Sequence, residues 1–162
     1  MQSFSSRSPD EIENMVRIHS DMLFRISLVM LGNKYDAEDV LQETVIKYIQ
    51  KAPIFNSPEH EKAWLIKVVT NLCRDVQRVR MKHPQISIDD LQSIVFDPES
   101  CGIIEALMTV PEKFRIVMLL YYVEEYRVEE IADIIGKSTS AVKMRLKKGR
   151  KLLEEIYRKE YL

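Results

Sequence analysis

Between Val128 and Leu146 the order of small, apolar and capping residues permits few folds. Ala132 is small at a point where two crossing helices would touch. Gly136 stands where a helix must stop, and glycine enters the left-handed region without a Cβ penalty. Ser138 then offers its hydroxyl as a cap for the next helix. Val142 and Leu146, one turn apart, return onto Ile131 and Ile135. Together these make a helix-turn-helix, a layout that sets its second helix into a DNA groove.

The charge of that second helix fits such a role. From Lys137 to Lys151 the cations are Lys137, Lys143, Arg145, Lys147, Lys148, Arg150 and Lys151, with no acid among them. Val142, Leu146, Gly149, Leu153 and Ile156 recur at 4-3-4-3 spacing and predict the buried stripe. Lys143, Lys147 and Arg150 then face outward, where cations neutralise phosphates and one or two side chains meet base edges. The plainer alternative is a solvated basic face on an ordinary core helix. The Gly turn and the small Ala132 weigh against it. Over the whole chain the formal net charge is -1, so the information lies in uneven spreading.

The chain has 162 residues, 46% of them hydrophobic, and only four glycines, which predicts an all-α protein of one domain or two small ones. Cys73 and Cys101 lie in different segments with no His or Cys at ligand spacing, so no metal and no cofactor are expected. The first ten residues lack an apolar core, and no apolar run approaches the roughly 20 residues of a membrane span. A cytoplasmic location is the expectation.

A first helix is expected to open on Ser8 as cap, with Pro9 at its first position and Asp10 and Glu11 facing the helix dipole. Ile12, Met15, Val16, Met22, Leu23, Ile26, Val29 and Met30 form its stripe, and Gly32 ends it. His19 falls within that stripe and reads as a boundary residue rather than a ligand. A second helix is expected from Asp36, taken as its cap, to Lys51 before Pro53. A third opens at Ser57 and Pro58 and runs through Trp64, Val68, Leu72 and Val76 to about Lys82. The prediction is a first domain over 8–83, an acidic linker over 84–99, and a second domain over 100–160. The linker boundary rests on the absence of Lys and Arg between Lys82 and Lys113 and on Asp89, Asp90, Asp97 and Glu99. In the second domain a short helix ends at Met108, another runs from Pro111 to about Glu124, and the helix-turn-helix follows.

Two polar stripes remain. Asp39, Gln42 and Glu43 stand at i, i+3 and i+4 on one face of the second helix. They admit three readings: dipole residues, a divalent-metal site, or a docking face for a basic or polar partner. Metal is weakest, because hard cations need several converging oxygens. Capping does not reach Gln42 and Glu43. On the third helix Asn71, Arg74 and Arg78 recur at i, i+3 and i+7. Asn and Arg both hydrogen-bond bases, and Arg holds phosphate. A solvated helix end is the competing reading, and Trp64 reads as core rather than a stacking platform.

Four segments in register then carry a resemblance: Asp36-Ala37-Glu38-Asp39-Val40-Leu41-Gln42-Glu43; Trp64-Leu65 with Asn71, Asp75 and Arg78; Leu107 with Val110-Pro111-Glu112-Lys113-Phe114-Arg115; and the helix-turn-helix. In this order and spacing the chain resembles the bacterial extracytoplasmic-function (ECF) sigma factors, from about residue 10 to 158. The resemblance implies two helical domains, sigma regions 2 and 4, on a flexible tether. It implies that Asp39, Gln42 and Glu43 bind the β′ coiled-coil of core RNA polymerase. It implies that the third helix, with Asn71, Arg74 and Arg78, reads the -10 element. The loop Ala52 to His60 would receive a base flipped from the opening duplex. Region 4 would read the -35 element with Ser138, Lys143, Met144, Lys147, Lys148 and Arg150, and touch the β flap. An anti-sigma factor and an envelope or environmental stress signal are implied regulators. The chain departs from the family pattern at Thr70, where Arg is common, at Met144 for Ser, at Lys148 for Arg, and at Gly149 for Ala. These put the promoter sequence in question rather than the class.

Two other classes share parts of this pattern. A stand-alone helix-turn-helix regulator would have no need of the Asp39, Gln42 and Glu43 face. An enzyme using the Asp36, Asp39 and Glu43 carboxylates with a metal lacks a nucleophile–base pair or a phosphate-binding loop. The free protein is expected to bind duplex DNA weakly, because tethered small domains gain little until polymerase fixes their separation.

Overall fold

A computed structural model describes residues 7–80 and 98–161, and every element among them is helical. The chain divides into two compact units, Met1–Ile86 and Ser87–Leu162. The expected linker at 84–99 lies outside the described residues except for its last two positions, which already belong to a helix. So does the expected end of the third helix at Met81 and Lys82.

The first unit is three mutually packed helices: α1 (Pro9–Leu31), α2 (Lys34–Lys51) and α3 (Pro58–Arg80). Ser8 caps α1, its Oγ accepting from the Glu11 N–H at 3.2 Å. Gly32 ends α1 at φ 66°, as its position predicts. The second helix begins earlier than expected. Asn33, not Asp36, is the cap, its Oδ1 accepting from the N–H groups of Tyr35 at 2.8 Å and Asp36 at 3.2 Å. Asn33 can take this role because Gly32 has already reversed the chain. Asp36 is thereby released to pair with Arg80 at the far end of α3.

A second correction concerns α3. Its core face is Leu65, Ile66, Val69, Thr70 and Cys73, one residue round from the predicted Trp64, Val68, Leu72 and Val76, which are half-buried flanks. The reason is packing on two sides. A helix wedged between α1 and α2 buries a wider arc than one apolar line. Thr70 is fully buried, its hydroxyl donating to the Lys67 carbonyl at 3.0 Å. On α1, Val16 is exposed, and the last turns are buried all round from Ile26 to Leu31.

The second unit comprises α4 (Pro98–Met108), α5 (Glu112–Met118), α6 (Val128–Ile135) and α7 (Thr139–Tyr161). α5 runs directly into one wide π turn, Leu119–Val123, closed by the Glu124 N–H to Leu119 carbonyl bond at 3.1 Å. Arg115 is a buried cation in this core, 7% exposed. Its guanidinium donates to the carbonyls of Val110 at 2.8 Å and Met108 at 3.3 Å, satisfying the loose end of α4. Gly136 ends α6 at φ 66° and Ser138 caps α7, its Oγ accepting from the Ala141 N–H at 3.1 Å. Ile131, Ile135, Val142 and Leu146 are buried together, as the spacing predicts. Gly149 is also buried, and a Cβ there would lie 2.6 Å from the Met118 sulfur.

Candidate nucleic-acid interface

α7 presents its cations as the spacing predicts. Ser138, Lys143, Met144, Lys147, Lys148 and Arg150 are all exposed, opposite the buried Val142, Leu146 and Gly149. Lys143, Lys147, Lys148 and Arg150 make no ion pair with a described residue. Their charge is therefore uncompensated among the described residues, which suits a polyanion.

On α3 the stripe is less free. Asn71 and Arg78 are exposed and Arg74 is half-buried. Arg74 donates to the Asn71 side-chain oxygen at 3.5 Å, and Arg78 lies 3.4 Å from Asp75. Both pairs are local and solvent-facing, so a nucleic acid can exchange for them at small cost.

Beside the start of α3 lies a recess that the sequence alone does not reveal. The recess, of about 520 Å³, opens between the α2–α3 loop and the start of α1. Its loop side carries Phe55, Asn56, Ser57 and Pro58, and its floor Tyr48, His19 and Glu61. Phe55 is the centre of an aromatic cluster. It stacks near-parallel to Tyr48 (6.4 Å, 12°) and meets Trp64 and His60 edge-on at 5.7 and 5.2 Å. Trp64, a half-buried flank of α3 rather than core, is thus a support of the cluster. Burial pushes the Tyr48 hydroxyl up from its ordinary value, reinforced by the Glu61 carboxylate 3.5 Å away. Burial also lowers His19, against the opposing pull of Glu61 at 3.8 Å. The sequence singles out the loop; it misses Tyr48 and Arg7, because nothing in their spacing signals a shared recess.

A third surface is the outer face of α2. Asp39, Gln42 and Glu43 are exposed and make no hydrogen bond or ion pair with a described residue. Tyr35, Ile46 and Ile49 are exposed on the same line, so Tyr35, Asp39, Gln42, Ile46 and Ile49 repeat at 4-3-4-3 spacing. That is the seam a partner helix would need, polar in the middle and apolar at its ends. In the second unit an almost wholly apolar groove of about 470 Å³ lies among Ile103, Leu107, Met118, Tyr122, Leu153 and Tyr157. No group of three or more potential metal ligands occurs among the described residues, and no described helix is long and apolar enough to cross a membrane.

Comparison with known proteins decides the class. The family model for Sigma-70 region 2 matches residues 15–83 and that for Sigma-70 region 4 matches residues 102–153. The ECF RNA polymerase sigma factor SigM of Bacillus subtilis is 30% identical, over 90% of this chain and 94% of its own. The chain belongs to the ECF sigma factors. SigW of Bacillus subtilis is similar at 29% identity, over 92% of this chain and 90% of its own. Among solved structures, the sigma factor RpoE of Bartonella quintana, in complex with the anti-sigma factor NepR, superposes with a TM-score of 0.73. It is 20% identical and covers 92% of this chain and 98% of its own. CnrH, in complex with the cytosolic domain of CnrY, gives 0.67 at 21% identity, covering 94% and 91%. Both share the fold. As a sigma factor the chain is a specificity subunit that directs RNA polymerase to promoters, through a region 2 and a region 4 that bind core polymerase and promoter DNA.

Proposed function

We propose that this sigma factor divides its work among the surfaces described above, as a dissociable subunit without catalysis of its own. Region 2 spans 8–83, a tether 84–99, and region 4 100–160. Asp39, Gln42 and Glu43 dock on the β′ coiled-coil, with Tyr35, Ile46 and Ile49 extending the seam. Asn71, Arg74 and Arg78 lie along the -10 element, and a base flipped from the duplex enters the recess under the 52–60 loop. Unstacking costs a few kcal/mol, which the aromatic wall offsets. Ser138, Lys143, Met144, Lys147, Lys148 and Arg150 read the -35 element, and the apolar groove of region 4 meets the β flap. An anti-sigma factor covers these faces until a stress signal releases them. Such a protein works in the cytoplasm.

The observation that carries this reading is the α2 face. Three polar side chains in a row, beyond the reach of the helix cap and bonded to nothing described, are unexplained by folding. The test is a binding titration with core RNA polymerase. Gln42→Ala with Glu43→Lys should weaken binding at least tenfold while leaving the helix content unchanged. Wild-type affinity in the double variant would remove the docking role.

A further inference from the structure

Arg7 lies just ahead of the α1 cap, in no motif. Its Cζ is 4.8 Å from the Tyr48 ring centroid and 5.0 Å from that of Phe55. One terminal nitrogen donates to the Pro53 carbonyl in the middle of the α2–α3 loop, and the other is 3.4 Å from the Glu11 carboxylate. The side chain is only 12% exposed. Its third donor, Nε, is buried and has no acceptor among the described residues. Arg7 lines the recess of about 520 Å³, which stays open with the arginine in place.

These facts separate a surface arginine from a working one. A guanidinium laid over two ring faces, with one fork holding a loop carbonyl, fixes where that loop stands. Nε is closed off from solvent, so the guanidinium acts on the loop and the rings rather than on an anion in the recess. Glu11 neutralises part of its charge.

We propose that Arg7 is a further promoter-melting residue of this sigma factor, acting by position: it holds the Pro53–Phe55 segment through the loop carbonyl and the rings, and so sets the wall of the recess that takes the unstacked base. The inference rests on the reading of the 52–60 loop as the base-receiving element.

The test uses holoenzyme and a promoter fragment that wild-type holoenzyme selects from a random duplex library. The fragment carries 2-aminopurine at the unstacked -10 position. Arg7→Ala should weaken the unstacking signal about tenfold while leaving core-polymerase binding unchanged. Arg7→Lys should recover only part of it, because an ammonium lacks the planar fork. In a Phe55→Ala background, where the ring the guanidinium orients is gone, Arg7→Ala should add little. Wild-type signal in Arg7→Ala, alongside loss in Phe55→Ala, keeps the pocket and overturns the role of Arg7. Wild-type signal in both variants overturns the pocket reading as well. Full recovery by Arg7→Lys, or additive losses in the double variant, also overturns the proposal.

Discussion

Region 2 and region 4 use one chemical device to turn a corner, and they use it differently. α1 ends on Gly32 and α6 on Gly136, both at φ 66°, and each following helix starts on a side-chain cap, Asn33 or Ser138. Gly32 is buried, and its corner is braced from the end of α3. Gln77 donates to the Met30 carbonyl at 3.0 Å and Arg80 to the Leu31 carbonyl at 2.7 Å. Gly136 is exposed, and its corner closes on itself through the Lys137 N–H to Ala132 carbonyl bond at 3.0 Å. One corner is architecture and the other is presentation. The recognition surfaces follow suit: region 4 offers one helix face, whereas region 2 gathers a recess from α1, α2, the loop and α3.

The largest effects should come from treating those two surfaces alike. Lys143→Ala with Lys147→Ala should make the salt dependence of -35 duplex binding shallower by about one unit per lysine, and cut affinity at low salt more than tenfold. Phe55→Ala should leave that salt slope alone. It should instead weaken single-stranded -10 binding by about 1–3 kcal/mol, the worth of one base–aromatic stack. Titrations at several salt concentrations separate the two. If Phe55→Ala also flattens the -35 salt slope, the contrast between charge and stacking fails.

The same contrast explains what could be read from the sequence. In region 4 the positions proposed to read DNA are set by spacing within one stretch. The Gly136 turn, the Ser138 cap, the Val142–Leu146–Gly149 stripe and the outward lysines therefore all stand in the sequence as periodicity. In region 2 the decisive contacts join residues far apart in the chain. Asp36 reads as a cap because an acid before a helix usually is one; its actual partner is Arg80, on the far end of another helix. The α3 stripe reads one residue off because periodicity assumes a single buried side, whereas α3 packs against two helices. Arg7, Tyr48 and Phe55 meet only in three dimensions. Asp39, Gln42 and Glu43 stand out for the opposite reason: they are exposed, and their side chains bond to no described residue.

Intermediate effects should come from the corners themselves. Alanine at a left-handed position is strained by roughly 1–2 kcal/mol. At Gly136 a Cβ meets no atom within 4 Å, so Gly136→Ala should cost near the lower end. Gly32→Ala should cost more, because Gly32 is buried and Gln77 and Arg80 hold the two carbonyls just before it, which limits relaxation. Chemical denaturation should therefore rank Gly32→Ala as the more damaging. In an Arg80→Ala background, where only the Gln77 half of the brace remains, the gap between the two costs should narrow. Equal costs in the wild-type background would mean that the brace does not stiffen the corner.

The smallest effect is one that only region 2 can have. All three histidines, His19, His60 and His83, lie in the first unit. Burial holds His19 below its ordinary value of 6.5, with Lys62 adding to the shift and Glu61 opposing it. The folded state thus binds a proton less readily than the unfolded chain. The stability contributed by neutral His19 is complete above the unfolded value and is lost as pH falls through the lower folded one. Trp64, the single tryptophan, reports unfolding of this unit alone. Its midpoint should fall as pH drops from 7 to 5, by a few degrees at most, and His19→Gln should remove part of that slope. Hydrogen exchange in α6 and α7, where no histidine lies, should show no such histidine-linked step over the same range. A slope untouched by His19→Gln would assign the acid sensitivity to the carboxylates around it, with Glu61 the first to test.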